Sequence, residues 1–390
     1  MNVLVVNAGS STLKYQVIDT KSHKVSAKGS CERVCFTGGT FTHAANGSKK
    51  VTENIEFPDH KVAIEVVLKD LEANGVKIEG IGHRIVQGGW YFGDSSLVDE
   101  DVLAKILEVA PLAPLHNNPE ANVIEYCLEQ YPDLPNVTVY DTAFHFNMPE
   151  VAKTYALPKD VCDKLHIRKY GAHGTSYRYI SKKVAEMTNG EARKVVVCHI
   201  GSGASLCAIE DGKCMDTTMG LTPLDGLIMG TRCGTVDPAT VFYLSREGHY
   251  SIDEIDTMMN KQSGLAAISG VSSDCRDIEA GANDGDERCQ MAIDMWSYRV
   301  ASQFATMVQA MNGVDTMVFT AGVGENSARM RKEVVNRLAW MGVQIDDDKN
   351  AVRSDDPREI STPDSKIHVW VIPTNEEYMI ALDVKELLGK

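Results

Sequence analysis

The chain has 390 residues, of which 43% are apolar and 24% charged. That balance excludes a largely disordered polymer, and the length suits two domains with cores of their own. Lys plus Arg number 39 against 54 Asp plus Glu, a net charge of −15, which excludes a general nucleic-acid or anionic-membrane binder and requires a local basic site for any anionic substrate.

The opening MNVLVVNAGSS has no basic n-region, and no run of 18 apolar residues occurs. Neither a signal peptide nor a membrane-spanning helix is therefore expected. The ten cysteines are scattered without a CxxC pair, and Cys198 and Cys207 lie inside apolar runs. This pattern predicts reduced core thiols, a cytoplasmic compartment and no zinc site.

In chain order, residues 2–6 (NVLVV) predict a buried strand, Ala8–Ser11 a turn, and residues 12–19 a second, alternating strand. Residues 20–60 are polar with scattered glycine, which suits short strands and loops. A helix is expected from Pro119 to Gln130 and a strand over 137–140. Residues 195–200 (VVVCHI) repeat the first run. Gly201–Ala204 repeats the turn, and 205–210 the second strand, closed by the hairpin turn Asp211-Gly212. An offset of 192 superposes Gly9 on Gly201, Ser10 on Ser202 and Asp19 on Asp211, so the chain reads as two similar halves. Residues 286–312 place Trp296, Val300, Phe304, Met307, Val308 and Met311 on one helical face, with Gly313 as the stop. A strand over 314–320, a tight loop Ala321–Gly324, a helix over 327–341 and a last helix over 376–388 complete the pattern. Strands interleaved with helices in two repeated halves predict an α/β fold with a ligand between halves.

Several segments could carry chemistry, each with a bland alternative. The NAGSS and GSGAS turns are either plain hairpin turns or backbone cradles for a phosphate. Both lead into strands, which disfavours Rossmann and P-loop folds. Lys14 is either a solvated strand residue or a point charge for phosphate. Arg84, set among apolar residues in GHRIVQGG, needs an anion, internal or bound. Asp141 ends a strand, where open sheets bind ligands, or else caps a helix. His173 is bracketed by glycines on a loop, and Arg232 sits in GTRCG; two such arginines with a loop histidine suggest an anion site. A lone GxG at 322–324 is weak evidence for a nucleotide. Glu376 and Glu377 are either metal ligands or acids complementing a helix dipole.

Taken together, these segments resemble the acetate kinase family. The resemblance rests on NxGSS at 7–11, HRxVxGG at 83–89, DTAFH at 141–145, HGTS at 173–176, HxGxGxS at 199–205, GLTPLxGxxMGTR at 220–232 and AGxGEN at 321–326, all in order. It implies two ribonuclease-H-like, actin-like ATPase halves around a central cleft, with domains at 1–150 and 151–375. The C-terminal helix 376–390 is expected to return to the first domain. It also implies reversible γ-phosphoryl transfer from ATP to acetate, or to propionate or another short-chain carboxylate. Mg²⁺, or Mn²⁺ in its place, serves that chemistry, and the enzyme is a homodimer. By the same resemblance Asn7 and Glu376 match a metal site. Lys14, His199, Ile200, Gly201, Ser202, Gly203, Asp274, Cys275, Arg276, Gly322, Val323, Gly324, Glu325 and Asn326 match nucleotide-binding segments. Arg84, Asp141, His173 and Arg232 match catalytic residues, with Arg84 also holding the acyl substrate. Val86, Leu115 and Pro223 match the pocket for the acyl methyl. Four positions depart from the family pattern: Thr12 keeps a hydroxyl in place of serine, Ser202 replaces asparagine, Ala172 replaces an aromatic residue, and Trp90 stands where a polar residue is expected.

Overall fold

The computed structural model describes residues 1–45 and 48–389; Asn46 and Gly47, in the expected strand-and-loop stretch, and Lys390, in the expected C-terminal segment, lie outside the described residues. The chain divides into two compact units. Unit 1 comprises Met1–Phe146, Gly174–Ser176 and Asn375–Lys390, and unit 2 comprises Asn147–His173 and Tyr177–Thr374.

Unit 1 is built on eight strands: β1 (Asn2–Ala8), β2 (Thr12–Asp19), β3 (Lys24–Glu32), β4 (Gly39–Ala45), β5 (Ser48–Ile55), β6 (Gly80–Ile85), β7 (Ser96–Leu97) and β8 (Asn136–Tyr140). They lie in the order β5-β4-β3-β2-β1-β6-β8-β7. The first five form an antiparallel meander, and β6 and β8 continue parallel to β1. The centre of β1, Val3–Val6, is apolar because both of its faces are covered. Leu4, Val6 and Ala8 join the core under the helix His60–Ala73, whereas Val3 and Val5 pack with Ile380, Ala381 and Val384 of the C-terminal helix Glu376–Leu387. That alternation is the two-residue period of a strand. It anchors the last helix of the chain onto unit 1, which places Glu376 there.

Unit 2 contains β9 (Lys194–Ile200), β10 (Ala204–Glu210), β11 (Lys213–Thr217), β12 (Thr316–Thr320), β13 (Arg358–Glu359) and β14 (His368–Val371), in the order β11-β10-β9-β12-β14-β13. The helix Glu287–Ala310 lays Trp296, Val300, Phe304 and Met307 on this sheet, against Val196, Leu206 and Phe319 among others. Its first turn is capped by Asp286, and Gly313 follows with φ 130°. The series β3-β2-β1-β6-β8 and β11-β10-β9-β12-β14 have the same order and directions: three antiparallel strands, then two parallel ones. The repeat at offset 192 is therefore a repeat of topology, the ribonuclease-H-like order expected of each half. The turns have diverged: Ala8 pairs with Leu13, but Ile200 pairs with Ala204, so the second turn is one residue tighter.

Two expected elements are corrected. The helix ending at Gln130 begins at Pro114, and Pro119 lies inside it. Pro114 is the proline of the first turn, where no N–H is missed, while Pro119 removes one internal bond that the packed helix tolerates. Residues Ala321–Asn326 are a short helix rather than a tight loop. Ala321 takes φ 64°, so the left-handed residue that turns strand into helix is an alanine and not one of the glycines.

Gly82 in β6 shows how close the C-terminal helix lies: a Cβ there would meet Ile380 Cγ2 at 2.5 Å and Val384 Cγ2 at 3.0 Å. Gly82→Val is expected to destabilise the protein by about 1–3 kcal/mol through overpacking, read as a lower urea midpoint. An unchanged midpoint would mean that the helix is not held there.

Candidate active site

The parallel strands of unit 1 bring their C-terminal ends to one edge of the sheet. Arg84 lies near the end of β6, paired in register with Val139, and Asp141 directly follows β8. Their side chains form an ion pair in which Arg84 Nη2 donates to Asp141 Oδ2 at 2.7 Å, while Nε is shared between Oδ2 at 3.1 Å and Oδ1 at 3.3 Å. Asp141 is 2% exposed and also accepts from Thr175 Oγ1 at 3.2 Å, while its carbonyl accepts from Gly174 N–H at 2.8 Å. The HGTS motif thus supplies the groups that seat this aspartate. A buried ion pair of this kind persists only when its geometry is good and its remaining lone pairs are used.

Two further carboxyl groups surround Arg84. Glu376 Oε2 lies 3.9 Å from Arg84 Nη2. Burial pushes the Glu376 carboxyl up to about 7; Arg84 opposes that shift and the Asp141 charge adds to it. Glu120, on the helix Pro114–Gln130, is 3% exposed and accepts from Val86 N–H at 3.2 Å. Its other oxygen has no hydrogen-bond partner, and burial raises its carboxyl well above the usual range against the pull of Arg84. Burial disfavours the charged Arg84, but Asp141 and Glu376 outweigh it and keep the guanidinium firmly protonated. Glu120 was not singled out in the sequence. Its only signal is an acid flanked by Pro119 and Ala121, which a surface helix shows as readily.

Unit 2 holds a second cluster. His173 adopts φ 58° just before the helix Gly174–Met187, a left-handed conformation that is rare for a residue with a side chain and often marks a functional position. His173 Nδ1 is 2.8 Å from Ser205 Oγ, and its ring stacks on His199 with centroids 4.1 Å apart. A Cβ on Gly203 would lie 3.4 Å from both His173 Nε2 and Arg232 Nη2, so the bare glycine of the GSGAS turn lets an imidazole and a guanidinium converge. Arg232 donates from Nη1 to the Pro223 carbonyl at 2.7 Å. Burial alone shifts it, lowering its proton affinity, with no carboxylate compensating. Ser205 was legible in the HxGxGxS motif but its link to His173 was not, because the two residues lie on separate elements.

A cavity of about 720 Å³ in unit 2 is lined by Ile200, Gly201, Ser202, Asp274, Cys275, Arg276, Gly322, Val323 and Asn326, together with Arg329 and Arg353. Three separate sequence motifs thus meet in one cavity. Asp274 caps the helix Cys275–Asn283 and pairs with Arg276, which holds its carboxyl down at about 2. His199, Gly203, Gly324 and Glu325 do not line it. Glu325 is occupied internally, accepting from Ala321 N–H at 2.7 Å and Thr374 N–H at 3.1 Å.

The remaining predicted residues fall as follows. Asn7 and Lys14 are register partners on β1 and β2 and line a cavity of unit 1. Val86 is half-buried after β6, whereas Leu115 is 53% exposed. Pro223 belongs to unit 2 and is half-buried. Ala172 is 3% exposed within the apolar core of unit 2. All ten cysteines are free. Among the described residues no helix is long and apolar enough to cross a membrane.

Comparisons with known proteins identify the family and the fold. The family model described as the acetokinase family matches residues 2–382. An acetate kinase of Clostridium botulinum is 48% identical over 399 aligned positions, covering all of both chains. The crystal structure of Porphyromonas gingivalis acetate kinase superposes with a TM-score of 0.93 at 39% identity, over 99% of each chain. That of a propionate kinase from Francisella tularensis superposes with a TM-score of 0.94 at 40% identity, over 99% of each chain.

The raised Glu376 carboxyl has a consequence for stability. The folded chain holds this proton more tightly than the unfolded one, so stability falls as pH rises from about 4.5 to about 7 and stays lower above. Glu376→Gln, neutral and of the same shape, lacks that decline. In metal-free buffer at pH 8 it is expected to exceed the parent by about 1–3 kcal/mol in urea unfolding, with the gap closing at pH 5. Parallel stability curves from pH 5 to 8 would contradict this.

Proposed function

The chain belongs to the acetokinase family, and from that premise we propose that it transfers the γ-phosphoryl group of ATP to acetate, reversibly, giving acetyl phosphate and ADP. The observation that carries this reading is Arg232: a largely buried guanidinium with a carbonyl partner and no compensating carboxylate, beside His173. A buried cation in that state is suited to an incoming anion.

Acetate, with a pKa between about 4 and 5, is already ionised at neutral pH. The nucleophile needs no general base. The difficulty is the approach of a carboxylate to a polyphosphate, and the chain's cations address it. Arg84 and Arg232 hold the carboxylate and the phosphoryl group in transfer. His173, with Nδ1 engaged by Ser205, presents Nε2 to an equatorial oxygen, where charge accumulates during in-line displacement. The nucleotide is assigned to the unit 2 cavity, with Lys14 meeting a phosphate, and the acyl group to Val86, Leu115 and Pro223. Asp141, already committed to Arg84, aims that guanidinium rather than removing a proton.

The donor set also suits a divalent cation. Asp141, Glu376 and Glu120 place three carboxyl groups around one guanidinium, and a divalent cation there would favour the ionised form of the carboxyls that burial keeps protonated. Asn7 and Glu376 would hold Mg²⁺ or Mn²⁺, which would supply positive charge to offset that of the phosphate groups. The proposal extends to a cytoplasmic homodimer; the ten free cysteines support the reducing compartment.

A second acyl preference is favoured by one finding, the close match to a propionate kinase structure. One methylene in an apolar pocket is worth about 1–3 kcal/mol. The expected kcat/KM for propionate is within about a hundredfold of that for acetate; a gap of several further orders of magnitude would exclude the second reading.

Trapping with hydroxylamine after mixing protein, ATP, Mg²⁺ and acetate is expected to yield acetohydroxamate; ATP hydrolysis without trapped product would overturn the reading. Asp141→Asn is expected to lower kcat by about 10²–10³-fold with partial recovery at raised Mg²⁺. Loss of an acidic limb from the pH–rate profile would instead make Asp141 a base.

A further inference from the structure

One face of the unit 1 meander carries a cavity of about 370 Å³, of which the reaction above uses only the edge at Asn7 and Lys14. Strand register arranges its lining in two cross-strand rows. One runs Asn7–Lys14–Ser30–Thr42 and the other Gln16–Lys28–Ala44–Lys49. These side chains share one face because residues two apart on a strand point the same way. The opposite face is the apolar one, with Leu13, Tyr15, Cys31 and Phe41 in the core.

Three ammonium groups therefore line one concavity: Lys14 on β2, Lys28 on β3 and Lys49 on β5. None is among the ion pairs of the described residues, and Glu377 is the only acid in the lining. The small Ala44 separates Lys28 from Lys49 in their row and leaves the middle of the face open. Ser30 and Thr42 add hydroxyls, bonded to each other at 2.9 Å. Asn7 and Lys14 also belong to the catalytic reading, but Lys28, Ser30, Thr42 and Lys49 have no part in it. The adjacent row of this face, Thr12–Glu32–Thr40–Glu53, carries two acids, but within the lining itself three cations face one acid, a local reversal of sign on a chain of charge −15 that concentrates anions.

We propose that this cavity is a second anion site, taking a small polyanion that carries two or more phosphate or carboxylate groups. A single small anion would not span the row. Strands lie about 4.8 Å apart, so the β3 and β5 lysines start roughly 10 Å from each other, and only an extended ligand engages both. A long polyanion such as nucleic acid would meet the acidic remainder of the chain. The site stands on unit 1 alone and does not depend on the reaction assigned above.

Calorimetric titration with tripolyphosphate and, separately, with citrate at constant ionic strength tests it. The full-length protein is expected to bind at least one of them. Binding of tripolyphosphate alone assigns phosphate chemistry, and of citrate alone carboxylate chemistry. Lys28→Ala/Lys49→Ala is expected to weaken that binding at least tenfold while leaving kcat with acetate unchanged. The control Lys182→Ala/Lys213→Ala, which removes the same charge from exposed positions in unit 2, is expected to bind as the parent does. Absence of binding by both probes overturns the proposal. So does binding that survives the Lys28/Lys49 change, as it would for a polyphosphate seated in the nucleotide cavity.

Discussion

The ion pair between Arg84 and Asp141 is the constraint on which the chemistry of unit 1 depends. Taking both charges out of water is costly, and the pair repays this only through the donors Nη2 and Nε of Arg84 and the additional donor from Thr175. What it secures is orientation. A free arginine samples many rotamers; one clamped at the ends of two adjacent parallel strands presents its remaining donors in a fixed direction. The rigidity comes from the sheet, since β6 and β8 are paired from Ile81 to Ile85 and are covered by helices.

The same chain solves a complementary problem in unit 2 with the same topology. There the tight turn after β9 leaves Gly203 bare, and His173 and Arg232 close on it. The end of β12 leads through a left-handed Ala321 into a short helix lining the nucleotide-sized cavity. Unit 1 instead carries a paired arginine and a group of carboxyls around the ends of β6 and β8. One repeated scaffold thus supports two unlike sets of charge: a clamped cation among excess acids, and an uncompensated cation beside imidazoles. Phosphoryl transfer to a carboxylate needs both kinds. In the proposed reaction the first would fix a small acid, and the second would receive charge that appears only during transfer.

Much of this was legible from residue pattern. A short continuous β-branched run placed β1, period-two alternation placed β2, and the repeat at 195–210 anticipated a second copy of the same hairpin. Asp141 was legible as a strand-end carboxylate. What was not legible depended on contacts distant in sequence. Nothing near Glu120 shows that its helix packs beside β6, so its buried, half-satisfied carboxyl could not be anticipated. Pro119 was read as a helix start because Pro114, the true one, lies in the apolar run APLAPL, which obscures periodicity. The AGVGEN segment was read as a loop because two glycines disfavour a helix, whereas packing against β9 overrides that local preference. Glu325 belongs to a motif resembling a nucleotide loop, yet its carboxylate is consumed by backbone N–H groups.

The central claim is that Asp141 acts through Arg84 and not on the substrate itself. A double-mutant cycle on kcat/KM for acetate, combining Arg84→Ala with Asp141→Asn, tests it most directly. If the claim holds, Asp141→Asn has a large effect in the parent and little or none once Arg84 is gone. Equal losses on both backgrounds would show that Asp141 contributes independently of the arginine, and would contradict the account.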